Sequence, residues 1–314
     1  MSPVHPFRFG VMVHSSGARQ VMTDTARRVG TLGYSTFLLP DHLDQPVGAL
    51  PALAVAAEAT THLRLGTLVL ANDFRHPVLL AKDVATLDLL SGGRFELGLG
   101  AGWRQGEYEQ AGIPYDSTPV RINRLAEALH VLTGLFADGT FAFAGEFYTV
   151  AELDGQPKPA QRPHPPLLIG GGGRRILSLA AGQADIVSII PRARPEGSGQ
   201  DSADWTSATE AATRQKLEWI RQAAGDRFAT LELNTMVYAV IVSDDRHAAA
   251  GQLAGRFGLT EDEVIASPNI LVGSIEQMVD DLRGRREAFG ISYITVPEYF
   301  MEALAPVVER LAGT

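Results

Sequence analysis

Short apolar runs alternate with amphipathic helical patterns along most of this chain, and that alternation restricts its fold more than any other feature. Eight runs are interpreted as strands, at residues 7–13, 36–39, 63–70, 95–99, 166–169, 186–190, 231–242 and 292–296. Strands that alternate with helices indicate successive βα units on a parallel sheet. Eight units within 314 residues predict an α/β fold, a single-domain (β/α)8 TIM-type barrel over residues 1–314 with insertions at its C-terminal mouth.

Two helices have clear boundaries in the sequence. One is predicted to begin at Pro77, which suits the first helical position, and to stop at the Ser-Gly-Gly of residues 91–93. Another is predicted to open with a capping box at residues 274–277, to bury Ile275 and to stop at Gly290.

Two stretches interrupt the alternation. Residues 138–166 are predicted to form a small β-hairpin over residues 140–148, followed by a proline-rich loop. Residues 191–206 are rich in Gly, Ser, Asp and Arg and have almost no apolar anchor. Because they follow the sixth strand, they are predicted to form a mobile lid loop at the barrel mouth.

Composition and charge exclude several functional classes. The chain has no cysteine, which removes disulfides, thiolate zinc sites, iron–sulfur clusters and cysteine nucleophiles. Its net charge of −9 is spread along the chain without basic blocks, so nucleic acid is not expected as a partner. No run of 18 apolar residues and no signal-peptide pattern occur, which predicts a cytoplasmic protein with no membrane association.

Polar residues stand directly after several predicted strands, where barrel enzymes place their active sites. Asp41 and His42 follow the second strand, and Glu298 follows the eighth. His42 is interpreted either as half of a satisfied loop pair or as a proton donor or acceptor oriented by its neighbour. A metal site of Asp41, His42 and Asp44 is disfavoured because no second histidine lies at ligand spacing.

Glycines cluster at two further strand ends. Residues 98–102 are interpreted either as close packing or as a place where a flat ring approaches the backbone. Gly170–Gly173 lie between a strand and a helix predicted to start near Arg174, so their amides could cradle a phosphate; a tight flexible turn is the alternative. On the cradle hypothesis, a side chain at Gly172 should block the phosphate without disturbing the core. Neither G-x-S-x-G nor a Rossmann G-x-G-x-x-G with its acidic residue is present, which disfavours hydrolase and nicotinamide-binding functions.

Four stretches in order, residues 64–77, 85–88, 91–95 and 98–103, resemble the luciferase-like monooxygenase superfamily. The Asp41–His42 pair, the glycines at 170–173 and the final strand from Gly290–Ile291 extend the likeness over nearly the whole chain. Within this superfamily the chain is most similar to the F420-dependent oxidoreductases of actinobacteria. The resemblance implies a (β/α)8 barrel, a homodimer, and a flavin or deazaflavin ring in the barrel mouth. It also implies a non-proline cis peptide at Leu68–Val69.

The resemblance and the strand-end pattern together assign the site residues. Asp41 and His42 are the predicted catalytic residues, and no metal ligands are predicted. The predicted cofactor-binding residues are Leu68, Val69, Asn72, Gly100, Ala101, Gly102, Trp103, Arg104, Gly170, Gly171, Gly172, Gly173 and Arg174. Pro191, Arg192 and Glu298 are assigned to the substrate and lid. In the F420-dependent glucose-6-phosphate dehydrogenases a tryptophan follows the Asp-His pair and a glutamate follows the Gly-x-Gly turn. Here those places hold Pro46 and Trp103, so the resemblance does not extend to the sugar-phosphate reaction.

The predicted function is hydride transfer between C5 of coenzyme F420 and a small organic substrate, with His42 as proton relay. FMN is the alternative cofactor, and the enzyme would then be a monooxygenase that needs a partner reductase. A flavin-binding protein without turnover is the alternative of another class, disfavoured by the polar ring at the strand ends. A phosphosugar isomerase or aldolase would need a lysine or a carboxylate base at the barrel mouth. The lysines Lys82, Lys158 and Lys216 are predicted to lie away from strand ends, which disfavours this function.

Overall fold

The computed structural model describes residues 5–14, 17–194 and 203–314. Its strands are β1 (Arg8–Met12), β2 (Thr36–Leu39), β3 (Arg64–Thr67), β4 (Leu70–Ala71), β5 (Phe95–Gly100), β6 (Thr140–Ala144), β7 (Thr149–Asp154), β8 (Leu167–Gly171), β9 (Ile186–Ile189), β10 (Arg192–Ala193), β11 (Ala203–Asp204), β12 (Glu232–Met236), β13 (Ala239–Val242), β14 (Ile270–Gly273) and β15 (Ile291–Pro297). Its helices are α1 (Arg19–Thr31), α2 (Ala49–Ala59), α3 (Pro77–Leu90), α4 (Gln105–Ala111), α5 (Thr118–Phe136), α6 (Arg174–Gln183), α7 (Glu210–Ala224), α8 (Arg246–Phe257), α9 (Glu261–Ala266), α10 (Ile275–Phe289) and α11 (Met301–Leu311).

The main sheet confirms the predicted (β/α)8 TIM-type barrel. Its strands follow the order β3-β2-β1-β15-β12-β9-β8-β5-β4, and a further pairing of β3 with β5 closes it. The pairs with a recorded register in this sheet are parallel, for example β1 with β15 and β5 with β8. All eight predicted strand regions contribute to this sheet, and helices lie between successive strands along the chain.

Two predicted strands are interrupted. The third divides into β3 and β4 around a cis peptide at Leu68–Val69, which confirms the predicted position of that bond. The seventh divides into β12 and β13, because β13 leaves the main sheet and pairs in parallel with β14. Strand β14 was not predicted from the sequence.

The two predicted helices begin and end where expected. Helix α3 starts at Pro77 and is followed by Gly92 and Gly93 with φ of 69° and 78°. Helix α10 opens with the Ser274–Gln277 capping box. Ile275, however, is only half-buried, since the inner face of α10 begins one turn later.

The first insertion is a hairpin, as predicted, in which β6 pairs antiparallel with β7 and Thr140 lies opposite Asp154. Its second strand runs six residues beyond the predicted hairpin. Of the predicted lid loop at residues 191–206, residues 195–202 lie outside the described residues. The flanking strands β10 and β11 pair antiparallel, with Arg192 opposite Asp204.

The contacts divide the chain into two compact units. The first unit comprises Met1–Val13, Arg28–Phe37 and Gly170–Thr314, and the second unit comprises His14–Arg27 and Leu38–Ile169. Each has its own apolar core; fully buried members are Phe9, Leu177, Ile220 and Val308 in the first unit and Leu53, Leu65, Leu97 and Leu132 in the second. Among the helices of the described residues, none has the length and apolar character needed to cross a membrane.

Candidate functional site

His42, in the second unit, is held by a carboxylate that the sequence interpretation did not single out. His42 Nδ1 lies 3.0 and 3.1 Å from the two carboxylate oxygens of Glu107 on α4. The side chain of Glu107 is 8% exposed and that of His42 is 24% exposed. Because an ionised carboxylate only accepts hydrogen bonds, the shared proton belongs to Nδ1. This arrangement leaves Nε2 of a neutral His42 with its lone pair available.

Glu107 also organises the residues around the histidine. It accepts the backbone amide of Leu43 at 3.1 Å and Nη1 of Arg104 at 2.9 Å. Arg104 Nη1 lies 2.9 Å from Asp44 as well. The Trp103 ring meets the His42 ring edge-on, at a centroid separation of 5.7 Å. His42 is therefore held between a buried carboxylate and an aromatic ring.

Asp41 has a different role from the predicted one. Its carboxylate pairs with Arg75, with Nη2 2.7 Å from Oδ1, and accepts the amide of Ala71 at 3.1 Å. It thus ties the end of β2 to the end of β4. Asp41 and His42 therefore form neither a satisfied pair with each other nor a histidine oriented by Asp41, because the two side chains engage different partners and Glu107 orients the histidine. The carboxylates of Asp41 and Asp44 each pair with an arginine.

The glycines after β5 permit close packing inside the protein. A Cβ at Gly98 would lie 1.9 Å from the Thr67 carbonyl oxygen. Gly102 has φ +73°, and a Cβ there would lie 1.8 Å from the Tyr108 hydroxyl oxygen. Of the two interpretations of residues 98–102, close packing accounts for these two glycines. At Gly100 a Cβ would meet the Val69 side chain at 2.8 Å, next to the cis peptide.

The carbonyls of this turn are fixed by α5 and the loop before it. Arg121, which is buried, donates from Nε to the Ala101 carbonyl at 3.1 Å. The Tyr115 hydroxyl donates to the Trp103 carbonyl at 2.9 Å. The Arg121 guanidinium also lies 4.0 Å from the Tyr115 ring centroid. The turn that carries Ala101–Arg104 is therefore held rigidly, as a binding surface requires.

Asn72, predicted to contact the cofactor, belongs to a buried polar cluster after β4. Its Nδ2 lies 3.3 Å from the Tyr148 hydroxyl. The neighbouring Asp73 carboxylate lies 3.0 Å from Nη1 of Arg124 and 3.3 Å from the Tyr108 hydroxyl. Burial raises the pKa of Tyr108 and of Tyr148, and the Asp73 charge raises each further. Both phenols are consequently protonated at neutral pH; the Tyr108 hydroxyl donates to Asp73, whereas the Tyr148 hydroxyl accepts from Asn72.

The glycine run of the first unit divides into packing and open positions. Gly171 and Gly172 pack closely against their neighbours. A Cβ at Gly171 would lie 2.3 Å from the Ile176 side chain, and a Cβ at Gly172 would lie 2.6 Å from the Arg192 backbone nitrogen. The expectation that Gly172 tolerates a side chain without disturbing the core is therefore wrong. Gly173 is the N-cap of α6, has no side-chain cap, and a Cβ there meets nothing within 4 Å. Gly173 directly precedes the first turn of α6, and the first residue of that helix, Arg174, is exposed.

Lys216 of α7 reaches a strand end, contrary to the sequence interpretation. Its side chain is buried and its ammonium donates to the carbonyls of Ile190, directly after β9, at 2.8 Å and of Ser207 at 2.6 Å. Ser207 in turn accepts the amide of Arg192 at 2.8 Å. Burial lowers the pKa of Lys216 to about 8, assisted by the Arg192 charge. The lysine fixes both flanks of the predicted lid loop.

The remaining predicted substrate residues lie in the first unit. Pro191 is buried, and Arg192 is exposed with its Nη2 3.2 Å from Asp204. Glu298 opens a single 3-10 turn after β15 and is half-buried.

Comparison with known proteins relates this geometry to a family. The family model of the luciferase-like monooxygenases matches residues 1–292. An FMNH2-dependent dimethylsulfone monooxygenase of Pseudomonas putida is 34% identical over 127 residues, which cover 40% of this chain and 35% of the relative. An F420-dependent glucose-6-phosphate dehydrogenase of Microbacterium testaceum is 31% identical over 186 residues, which cover 56% of this chain and 54% of the relative. The chain thus spans between about a third and about half of the length of these relatives.

Solved structures agree with the fold. The structure of an F420-dependent secondary alcohol dehydrogenase, in complex with an F420-acetone adduct, has a TM-score of 0.73 at 20% identity and covers 96% of this chain and 99% of that one. At this identity the likeness concerns the fold alone. Since the family model extends over far more than half of the sequence, this chain belongs to the luciferase-like monooxygenase family, which includes F420-dependent and FMN-dependent enzymes.

Proposed function

We propose that this protein is an F420-dependent oxidoreductase that transfers a hydride between the deazaflavin and a small organic substrate. The main support for a catalytic function is the His42–Glu107 pair, in which Nδ1 of His42 lies 3.0 Å from the Glu107 carboxylate. A histidine whose tautomer is set by a buried carboxylate is built to accept or donate a proton at Nε2. A protein that only stores a cofactor has no need of that arrangement.

In each unit, taken by itself, the residues at one place fit a part of such a cofactor. At Gly173 the open position, the uncapped amides of α6 and the Arg174 side chain suit an anion, since a helix N-terminus favours negative charge. We assign the phosphate of the cofactor's side chain to it. In the second unit, the rigid turn of residues 100–104, Asn72 and the Leu68–Val69 peptide are the proposed contacts of the ring.

When bound, the deazaflavin supplies hydride transfer at its C5. The chain's own part is proton handling and positioning. His42 Nε2 accepts the proton that a substrate hydroxyl loses on oxidation, or returns it on reduction. Glu107 stabilises the resulting imidazolium through Nδ1, while Arg104 keeps the Glu107 carboxylate in place. The Trp103 ring packs against the imidazole at nearly a right angle and helps to fix its orientation.

The choice of F420 over FMN is supported by the longer matched stretch of the F420-dependent relative, 186 residues against 127. An FMN-dependent monooxygenase served by a partner reductase is the second candidate, favoured by the slightly higher identity of the Pseudomonas putida relative. We also propose that the protein is a homodimer, which sedimentation equilibrium tests.

Turnover assays separate these functions. Protein loaded with reduced or oxidised F420, or with reduced FMN, is mixed with a panel of small alcohols, aldehydes and ketones, with and without oxygen. Substrate-dependent change of deazaflavin absorbance without oxygen is the expected result. Substrate oxidation that requires both FMN and oxygen would establish the monooxygenase instead. Cofactor binding without turnover across the panel, in wild type and in His42→Ala alike, would indicate a binding protein.

A further inference from the structure

The glycine turn that leads to Gly173 packs against the residues that follow strand β9 in the first unit. The amide of Ile190, directly after β9, donates to the carbonyl of Gly171 at 3.2 Å. A Cβ at Gly172 would lie 2.7 Å from the carbonyl oxygen of Ile190 and 2.6 Å from the amide nitrogen of Arg192. The position of the turn therefore depends on where the chain after β9 is held.

Lys216 of α7 holds that part of the chain. Its side chain is buried, and its ammonium donates to the carbonyl of Ile190 at 2.8 Å and to that of Ser207 at 2.6 Å. The Ser207 hydroxyl in turn accepts the amide of Arg192 at 2.8 Å. An unbroken series of hydrogen bonds and close contacts thus connects the ammonium to the glycine turn.

The burial of this ammonium is unfavourable for folding. Burial, assisted by the Arg192 charge and opposed by the Asp204 charge, lowers the pKa of Lys216 to about 8. An apolar side chain of similar length would avoid that penalty, so packing alone does not account for a lysine here. What the ammonium adds is a pair of charge-assisted hydrogen bonds to backbone carbonyls, and such bonds are about twice as strong as neutral ones.

We propose that Lys216 is a positioning residue for the phosphate of the cofactor: it fixes the chain after β9 and, through it, the backbone amides between β8 and α6. This inference rests on the proposed function, because it takes the phosphate to bind at Gly173. Lys216 acts through the backbone, since its ammonium is directed to two carbonyls. Hydrogen bonds weaken steeply when their geometry is lost, so a loosened turn binds phosphate less tightly.

Cofactor titrations at neutral pH test this role. For each protein, the affinity for a phosphorylated cofactor is divided by the affinity for the same cofactor without its phosphate. FMN with riboflavin, and F420 with its phosphate-free ribityl deazaflavin, are the two pairs. Lys216→Met removes the ammonium and keeps a long unbranched side chain. Ile220→Ala is the matched control, because Ile220 lies one turn further along the same buried face of α7 and carries no donor.

The affinity ratio should fall roughly tenfold or more in Lys216→Met, as expected when hydrogen bonds to a charged group are lost. Affinity for the phosphate-free form should stay unchanged, and Ile220→Ala should keep the wild-type ratio. A wild-type ratio in Lys216→Met, or equal falls in both variants, would overturn the inference and leave the proposed hydride transfer untouched. A wild type that binds both forms equally would overturn the phosphate position at Gly173 as well.

A second measurement uses the unaltered chain. Coupling between two binding equilibria is reciprocal, so a phosphate that binds more tightly when Lys216 is protonated must raise the pKa of Lys216. Since the chain has three lysines, NMR of 15N-labelled lysine side chains can follow this one. The pKa of Lys216 should rise with the phosphorylated cofactor and not with the phosphate-free form. An equal pKa with both forms would overturn the inference.

Discussion

Replacing Glu107 with Gln separates a positioned histidine from one that is merely exposed at the site. The change removes the charge but keeps an oxygen that accepts from the Leu43 amide and from Arg104. A hydrogen bond to a charged group contributes about 1.5–3 kcal/mol. If that stabilisation of the imidazolium is realised in the transition state, its loss lowers turnover roughly 10- to 150-fold, at about 1.36 kcal/mol per tenfold.

The assay has a kinetic and a spectroscopic part. Turnover should fall by that factor in Glu107→Gln, while cofactor affinity stays within a few-fold. Long-range 1H–15N correlation spectra of the imidazole should place the proton of neutral His42 on Nδ1 in the wild type and show a larger Nε2-protonated population in the variant. Glu109→Gln is the control, since Glu109 is an exposed carboxylate of α4 that pairs with Gln105. Wild-type His42 found protonated on Nε2, or Glu107→Gln turning over normally, would refute the reasoning.

Three further changes have defined outcomes. His42→Ala should lower turnover by roughly 10²-fold or more with cofactor affinity within a few-fold, and unchanged steady-state rates would remove His42 from the mechanism. Gly173→Val should weaken binding of a phosphorylated cofactor at least tenfold, about 1.4 kcal/mol, with little change in the thermal stability of the cofactor-free protein. The control is Gly182→Val, at an open position within α6, which should bind the cofactor normally. Equal losses of cofactor affinity in the two variants would contradict the assignment. Since burial lowers the pKa of Lys216 from 10.5 to about 8, the unfolded chain binds more protons between these values. Urea titrations should show the free energy of unfolding of the wild type rising by roughly 3 kcal/mol, relative to that of Lys216→Met, as pH rises through that window. A difference between the two proteins that does not change with pH would contradict a pKa lowered by burial.

The barrel could be predicted from sequence because the alternation of strands and helices is a local property repeated eight times. The division of the seventh strand could not. Val237 donates its amide to Thr295, whereas Tyr238 donates to Asn269, so the hydrogen-bonding partner changes within one apolar run. An apolar pattern in the sequence predicts which residues are buried, but it does not predict which strand they pair with.

The candidate site was predictable only in part, because the sequence pattern does not show which distant residues come into contact. His42 stands out at a strand end, but Glu107 lies 65 residues away and its contact depends on how α4 packs. Lys216 had a detectable signal, because it occupies the buried helical face that also carries Thr213, Leu217 and Ile220. The spacing of these residues is that of an inward-facing stripe, and a lysine within such a stripe is a buried lysine.

Parallel fluorescence titrations of cofactor-free protein with coenzyme F420 and with FMN test the proposed function most directly. Micromolar binding of F420 and at least tenfold weaker binding of FMN is the predicted result. Micromolar binding of FMN with no binding of F420 would contradict it.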